Sequence, residues 1–212
     1  MPKIIICEDE NIVALDIKRH LERFGYEILG MYDKAEEAIT ACPAINPDLV
    51  LMDIQLSGSM DGLDASNIIY KKYNIPVIML TAYADDITLS RAKDGLPFGY
   101  ILKPFEDREL KTAIEIALFR HEMDKRLKKS EARYRTLFEQ APTANFTADE
   151  DGTITDCNTT FIKLLNFANK ESVIGKSIFT WFVNADTGNR LWQSFLNHTN
   201  SVFQDWELQK AD

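Results

Sequence analysis

Cysteine is scarce in this chain: three in 212 residues, at positions 7, 42 and 157, with no Cys-x-x-Cys pair among them. That excludes a disulfide framework and a thiolate zinc site, and free thiols fit a reducing compartment. Basic charge is short as well, with 24 Lys and Arg against 33 Asp and Glu and a net charge of −9. Neutralising many phosphates needs the opposite balance, so no direct contact with nucleic acid is expected. No run approaches the ~18 apolar residues of a membrane span. The first apolar stretch, Ile4 to Cys7, meets acid at Glu8, too early for a signal-peptide core. No membrane contact is expected, and the cytoplasm is the expected location.

What is present is a regular alternation over the first 120 residues. Short runs rich in Ile, Val, Leu and Met occur at Lys3–Cys7, Glu27–Tyr32, Leu49–Met52, Val77–Leu80 and Tyr100–Leu102. Each is too short for a helix, and several are apolar on successive residues, as in strands buried on both faces. Amphipathic stretches separate them. Ile12, Leu15, Ile17, Leu21 and Phe24 recur at helical spacing until Gly25, and Asp33 is placed to cap a helix over Lys34–Ala44. Helices are also expected at Leu63–Tyr73, at Asp85–Asp94 and from Glu106 onward. Five strands each followed by a helix predict a doubly wound parallel sheet.

The fifth helix has no reason to stop where such a domain ends. Between residues 106 and 140 there is neither Gly nor Pro. Met123, Leu127, Ser130, Tyr134 and Leu137 follow a 4-3-4-3 spacing, a short heptad seam. Such a helix is expected to serve as a linker and to pair with a second copy as a homodimer. Beyond Ala141-Pro142 the pattern changes to a strand near Phe146, a turn at Glu150-Asp151-Gly152 and a strand at Ile154–Cys157. Helical turns at Phe161–Phe167 and Ile178–Phe182, a helix at Thr187–Leu196 and a strand at Val202–Gln209 complete the expected list. The expected organisation is a domain over 1–120, a linker over 121–140 and a small α+β domain over 141–212.

If the five strands run parallel, their carboxyl ends deliver Glu8 and Asp9, Asp53, Thr81 and Lys103 to one crevice, the place where open α/β sheets bind ligands. Packed carboxylates repel each other unless a cation neutralises them. Oxygen-only ligands suit Mg²⁺, which uses one or two carboxylates together with phosphate oxygens. Asp is a competent nucleophile for an acyl phosphate, and Lys and Thr are suited to hold the transferred group's oxygens. Taken singly, each residue has a plainer role: Glu8 and Asp9 as helix caps, Asp53 in an Asx turn, Thr81 as a β-branched strand residue. Their coincidence at four strand ends favours the chemical role.

The motifs Ile4-Ile5-Ile6-Cys7-Glu8-Asp9-Glu10, Leu49-Val50-Leu51-Met52-Asp53-Ile54, Met60-Asp61-Gly62, Met79-Leu80-Thr81-Ala82 and Tyr100-Ile101-Leu102-Lys103-Pro104-Phe105 together resemble the receiver domain of two-component response regulators. The resemblance implies a flavodoxin-like sheet in the order 2-1-3-4-5, with Asp53 as phosphoacceptor. It implies Mg²⁺ held by Glu8, Asp9, Asp53 and the backbone carbonyl of Gln55. Thr81 is then the switch hydroxyl, Tyr100 the switch aromatic, and Lys103 the site lysine, preceding a cis peptide to Pro104. Glu8 departs from the more usual Asp and still supplies a carboxylate. The implied partner is a histidine kinase or phosphotransfer protein. The implied activity is self-catalysed phosphorylation rather than that of a conventional enzyme. Gln55 and Tyr83, two positions past Asp53 and Thr81, are expected to flank the path of water, and a bulky Tyr83 with no acidic group is expected to make autodephosphorylation slow.

Residues 130–142, with Asp151-Gly152-Thr153-Ile154, Asn158 and Ile174-Gly175-Lys176-Ser177, resemble the first half of PAS sensor domains, two strands of the five-stranded PAS sheet being unaccounted for. His121 and His198 are expected to be ordinary surface histidines, and Phe146, Phe161, Phe167, Phe179 and Trp181 to be core. Two other readings stay open. A haloacid-dehalogenase-type phosphatase needs a second Asp two positions after the nucleophile, where Gln55 stands. A receiver that takes no phosphate, acting only as an interaction module, would not need all five site residues.

Overall fold

The computed structural model describes residues 1–82 and 98–182, with Gly188, Trp192, Gln193 and Leu196 beyond them. Tyr83, His198, the helix expected at Asp85–Asp94 and the strand expected at Val202–Gln209 lie outside the described residues, as does most of the helix expected at Thr187–Leu196. The chain divides into two compact units, Met1–Arg126 and Leu127–Asp212.

The first unit is built on β1 (Lys3–Cys7), α1 (Asn11–Arg23), β2 (Glu27–Tyr32), α2 (Ala35–Ile45), β3 (Leu49–Asp53), α3 (Gly62–Tyr73), β4 (Val77–Thr81) and β5 (Gly99–Leu102). The five strands form one parallel sheet in the order β2-β1-β3-β4-β5. Side chains alternate between its faces. Ile4, Ile6, Leu49, Leu51, Ile78, Leu80 and Ile101 pack against Ala14, Ile17 and Leu21 of α1 and against Leu110, Ile114 and Ala117 of α4 (Asp107–Gln140). Ile5, Cys7, Val50, Met52, Val77 and Met79 pack against Ala35, Ala38 and Cys42 of α2 and Ala65 and Ile69 of α3. Burial on both faces explains the unbroken apolar runs.

One local expectation needs correction. No side chain caps α1 or α2, so neither Glu8, Asp9 nor Asp33 acts as a helix cap; the entry residues are Glu10 and Lys34. Pro43 lies inside α2, in its last turn, where few further amide bonds are at stake. The helix is ended instead by Asn46, in the left-handed conformation at φ 50°, whose N–H bonds the Cys42 carbonyl at 2.8 Å.

Helix α4 runs 34 residues without interruption. Its buried positions, Leu110, Ile114 and Ala117, all lie in its first third. Along the heptad seam Met123 is 38% exposed, Leu127 59%, Tyr134 58% and Leu137 64%, so this stripe has no cover within the chain's described residues.

The second unit contains the antiparallel pair β6 (Phe146–Ala148) and β7 (Ile154–Cys157) and the short α5 (Thr159–Leu164). The strands are joined by a tight turn in which the Gly152 N–H bonds the Asp149 carbonyl at 2.9 Å and Gly152 takes φ +83°, the left-handed region that glycine enters without strain. One core gathers Ile154, Cys157, Phe161, Leu165, Val173, Ile178 and Trp181. The aromatic residues fill it against each other: the Phe161 ring lies 5.4 Å from Phe146, and Phe167 lies 5.0 Å from Trp181. They are core, as expected.

Candidate functional site

Register puts the strand ends level. Cys7 pairs with Met52, Asp53 with Leu80, and Thr81 with Leu102. The residues just past these pairs therefore converge: Glu8 and Asp9 after β1, Asp53 at the end of β3, Thr81 at the end of β4 and Lys103 after β5. The ladder extends one step beyond β5 through the Lys103 N–H, 2.7 Å from the Thr81 carbonyl, and the Lys103–Pro104 peptide is cis.

Glu8 and Asp53 are buried, at 2% and 8% exposure, and Asp9 faces solvent. Carboxylate oxygens of the three lie within 4.8 Å of one another. The Lys103 ammonium donates to Glu8 Oε2 at 2.6 Å and to Asp53 Oδ2 at 2.5 Å. Asp53 Oδ1 accepts the Gln55 N–H at 3.0 Å, so the Asx turn considered for Asp53 does form, beside the ion pair rather than in place of it. Burial pushes Glu8 up to about 7, the Lys103 ammonium opposing and the Asp53 charge adding to the shift. Burial alone would lower Lys103; its bonds to Asp53 and Glu8 outweigh that and raise it.

Charge counting shows what the crevice lacks. Three carboxylates face one ammonium, so full ionisation would leave two negative charges uncompensated, and the buried Glu8 Oε1 has no hydrogen-bond partner. An all-oxygen donor set with a surplus of two charges and an orphaned buried oxygen fits a divalent hard cation. Thr81 is half-buried at the crevice edge, and Tyr100, opposite Met79 in the register, is 37% exposed. Six of the seven expected site residues thus come from the loops and strand ends at one edge of the sheet, and Tyr100 lies within β5.

Two supporting features were not evident from the sequence. A Cβ on Gly62 would lie 1.8 Å from the Asp53 carbonyl oxygen, so the start of α3 reaches the end of β3 only because residue 62 is glycine. A glycine opening a helix immediately after its Asp61 cap was the available signal. The second is Glu36, whose carboxylate takes the N–H and the hydroxyl of Ser59 at 2.9 and 2.6 Å. In the sequence it reads only as an acid in the first turn of a helix.

Comparison with known proteins agrees with this geometry. Residues 4–115 match the model of the response regulator receiver domain, and residues 132–200 match that of a PAS domain. The transcriptional regulatory protein PdtaR of Mycobacterium tuberculosis is 36% identical over 118 residues, 56% of this chain and 57% of that protein. The phyllosphere-induced regulator PhyR of Methylorubrum extorquens is 35% identical over 118 residues, 55% of this chain and 43% of that protein. The chain thus spans about half the length of these curated relatives. Among solved structures, the receiver domain of a modulated diguanylate cyclase from Desulfovibrio desulfuricans superposes with a TM-score of 0.56 at 35% identity, over 58% of this chain and 98% of that one. The N-terminal domain of a response regulator/sensory box/GGDEF protein from Carboxydothermus hydrogenoformans gives 0.53 at 31% identity, over 57% and 98%.

Proposed function

Because the chain belongs to the response regulator receiver family and carries a PAS domain after the receiver, we propose that it is a phosphorelay protein whose Asp53 accepts a phosphoryl group from a histidine kinase or phosphotransfer protein. The observation that carries this is the Asp53 carboxylate, held at the end of β3 beside Lys103 at 2.5 Å and within reach of Glu8 and Asp9. In the proposed step an Asp53 oxygen attacks phosphorus, the P–N bond to the donor histidine breaks, and its electron pair stays on the imidazole. Lys103, which bridges Asp53 and Glu8 before transfer, turns to the incoming phosphoryl oxygens, and the Thr81 hydroxyl approaches them from β4. Glu8, Asp9, Asp53 and the Gln55 carbonyl are the residues that would hold Mg²⁺. Bound there, Mg²⁺ would neutralise charge on these carboxylates and on the transferred group.

We assign the receiver to residues 1–120, the helical linker to 121–140 and the PAS-like domain to 141–212, in a cytoplasmic protein. No helix among the described residues is long and apolar enough to cross a membrane. The output runs through α4, whose exposed seam pairs with a second copy to form a homodimer. Phosphorylation is self-catalysed and its reversal slow.

Acetyl phosphate with Mg²⁺ should add one phosphoryl group to the full chain, seen by intact mass, and none to Asp53→Ala. Equal labelling of that variant overturns the assignment. No labelling of the wild type by this donor or by a phosphohistidine donor favours the interaction-module reading instead.

A further inference from the structure

The loop that follows the phosphoacceptor, Ile54 to Asp61, is closed at its base by the Gly62 N–H on the Ile54 carbonyl at 3.0 Å and by Gln55 on Asp53. Ile54, Leu56 and Met60 pack their side chains into the core beneath α2 and α3. The tip between them, Ser57 to Ser59, is polar and is held from outside the loop. Ser57 donates its hydroxyl to the Asp33 carbonyl at 3.3 Å. Glu36, in the first turn of α2, accepts both the N–H and the hydroxyl of Ser59 through one oxygen. Its other oxygen sits where a Cβ on Gly58 would come within 2.5 Å, so the carboxylate rests directly against the loop backbone. The Ser59 hydroxyl, with further amide bonds from Glu36 itself, Ser59 and Met60, holds the Glu36 carboxyl below its ordinary range. Glu36 is therefore the ionised half of a charge-assisted clasp, short at 2.6 Å.

This contact joins the end of β2 and the start of α2 to the loop that bears Gln55, four residues before Ser59. We infer that Glu36 is a positioning residue for cation binding at the crevice: by fixing the loop tip on α2 it holds the Gln55 carbonyl where a metal can use it. This rests on the Mg²⁺ site proposed above. Groups that orient a ligand without touching the metal commonly set affinity. The neighbouring Glu37 faces Lys34 at 3.7 Å instead and has no part in the clasp.

The test is calorimetric titration of the full chain with Mg²⁺ alone, with thermal midpoints measured in its absence. Glu36→Ala and Ser59→Ala should each weaken Mg²⁺ binding about tenfold. The double variant should be no weaker than Glu36→Ala, because the Ser59 hydroxyl acts through the Glu36 carboxylate. Glu37→Ala should match the wild type in affinity, and all four should melt within a few degrees of it. At saturating Mg²⁺ the rate of acetyl phosphate labelling should return to the wild-type value. Wild-type Mg²⁺ affinity in a folded Glu36→Ala protein overturns the role of the clasp. If the wild type itself binds no Mg²⁺, the underlying site assignment fails, and the clasp with it.

Discussion

Asn158 is fully buried and uses its whole side chain. Its Oδ1 accepts the N–H groups of Asn145 and Phe161, both at 2.9 Å, and its Nδ2 donates to the carbonyls of Phe138 and Thr143 at 3.0 and 2.8 Å. One residue thus caps α5, fixes the entry to β6 and satisfies a terminal carbonyl of α4. Truncation strands buried polar groups, each costing ~1–3 kcal/mol when left without a partner. Asn158→Ala should destabilise the Leu127–Asp212 unit by about 3 kcal/mol. All three tryptophans, 181, 192 and 206, lie in that unit, so urea unfolding followed by their fluorescence reports it selectively. A loss under about 1 kcal/mol would mean that water replaces the missing bonds. The sequence marks Asn158 only as a point of family resemblance. Its role depends on where the carbonyls of residues twenty and fifteen positions earlier come to lie, which no local pattern encodes. Asp53 and Lys103 were legible for the opposite reason: each directly ends or follows an apolar run, so finding the strands also finds the residues.

Among the elements, the strands were the most legible, because burial on both faces leaves runs such as Ile4 to Cys7 and Leu49 to Met52 that no surface helix would carry. The end of α2 was less so: it needs Asn46 at positive φ, which no local apolar pattern marks. Helix α4 was legible from its lack of Gly and Pro, and its surface carries a further message. With Leu127 and Tyr134 at a and Met123, Ser130 and Leu137 at d, the g positions hold Arg126 and Arg133 and the e positions Asp124 and Glu131. In a parallel pair g faces e of the other helix, so Arg126 meets Glu131 of the second copy; an antiparallel pair sets like charges together. Arg126 now bonds Glu122 of its own helix at 2.8 Å, an exposed pair that is easily exchanged. Arg126→Glu should weaken self-association about tenfold, through two symmetry-related contacts turned from attraction to repulsion. Arg126→Glu with Glu131→Arg should restore it. A cysteine at position 127 should cross-link to its own counterpart. Failure of the exchanged pair to rescue a weakened dimer would argue for antiparallel pairing.

At the scale of the molecule, two units with separate cores share one uninterrupted helix, and the proposed signal must use it. Phosphorylation adds about −1.5 to −2 charges to the crevice. That group competes with Glu8 and Asp53 for Lys103 and attracts the Thr81 hydroxyl, so the β4 and β5 ends are where rearrangement begins. Tyr100 is 37% exposed on β5 and should follow Thr81 inward in the proposed switch. Tyr100 shares a sheet face with its neighbour Met79, opposite the face on which Leu110 and Ile114 of α4 pack, so the change reaches α4 through β5 itself, whose Ile101 packs in the same cluster as those residues. Moving a two-state equilibrium from 1:99 to 99:1 takes about 5.5 kcal/mol of differential stabilisation, and a few charge-assisted bonds of ~1.5–3 kcal/mol each are enough. Beryllofluoride with Mg²⁺, a stand-in for the acyl phosphate, should therefore shift the sedimentation coefficient of the full chain or the cross-linking yield at position 127. Asp53→Ala should respond in neither. Tyr100→Ala should still bind beryllofluoride and yet leave both readouts unmoved, separating chemistry at Asp53 from its transmission to α4. If wild-type protein with bound beryllofluoride keeps the same association state and the same cross-linking, α4 is a passive tether, and the phosphoryl signal leaves the receiver by another surface.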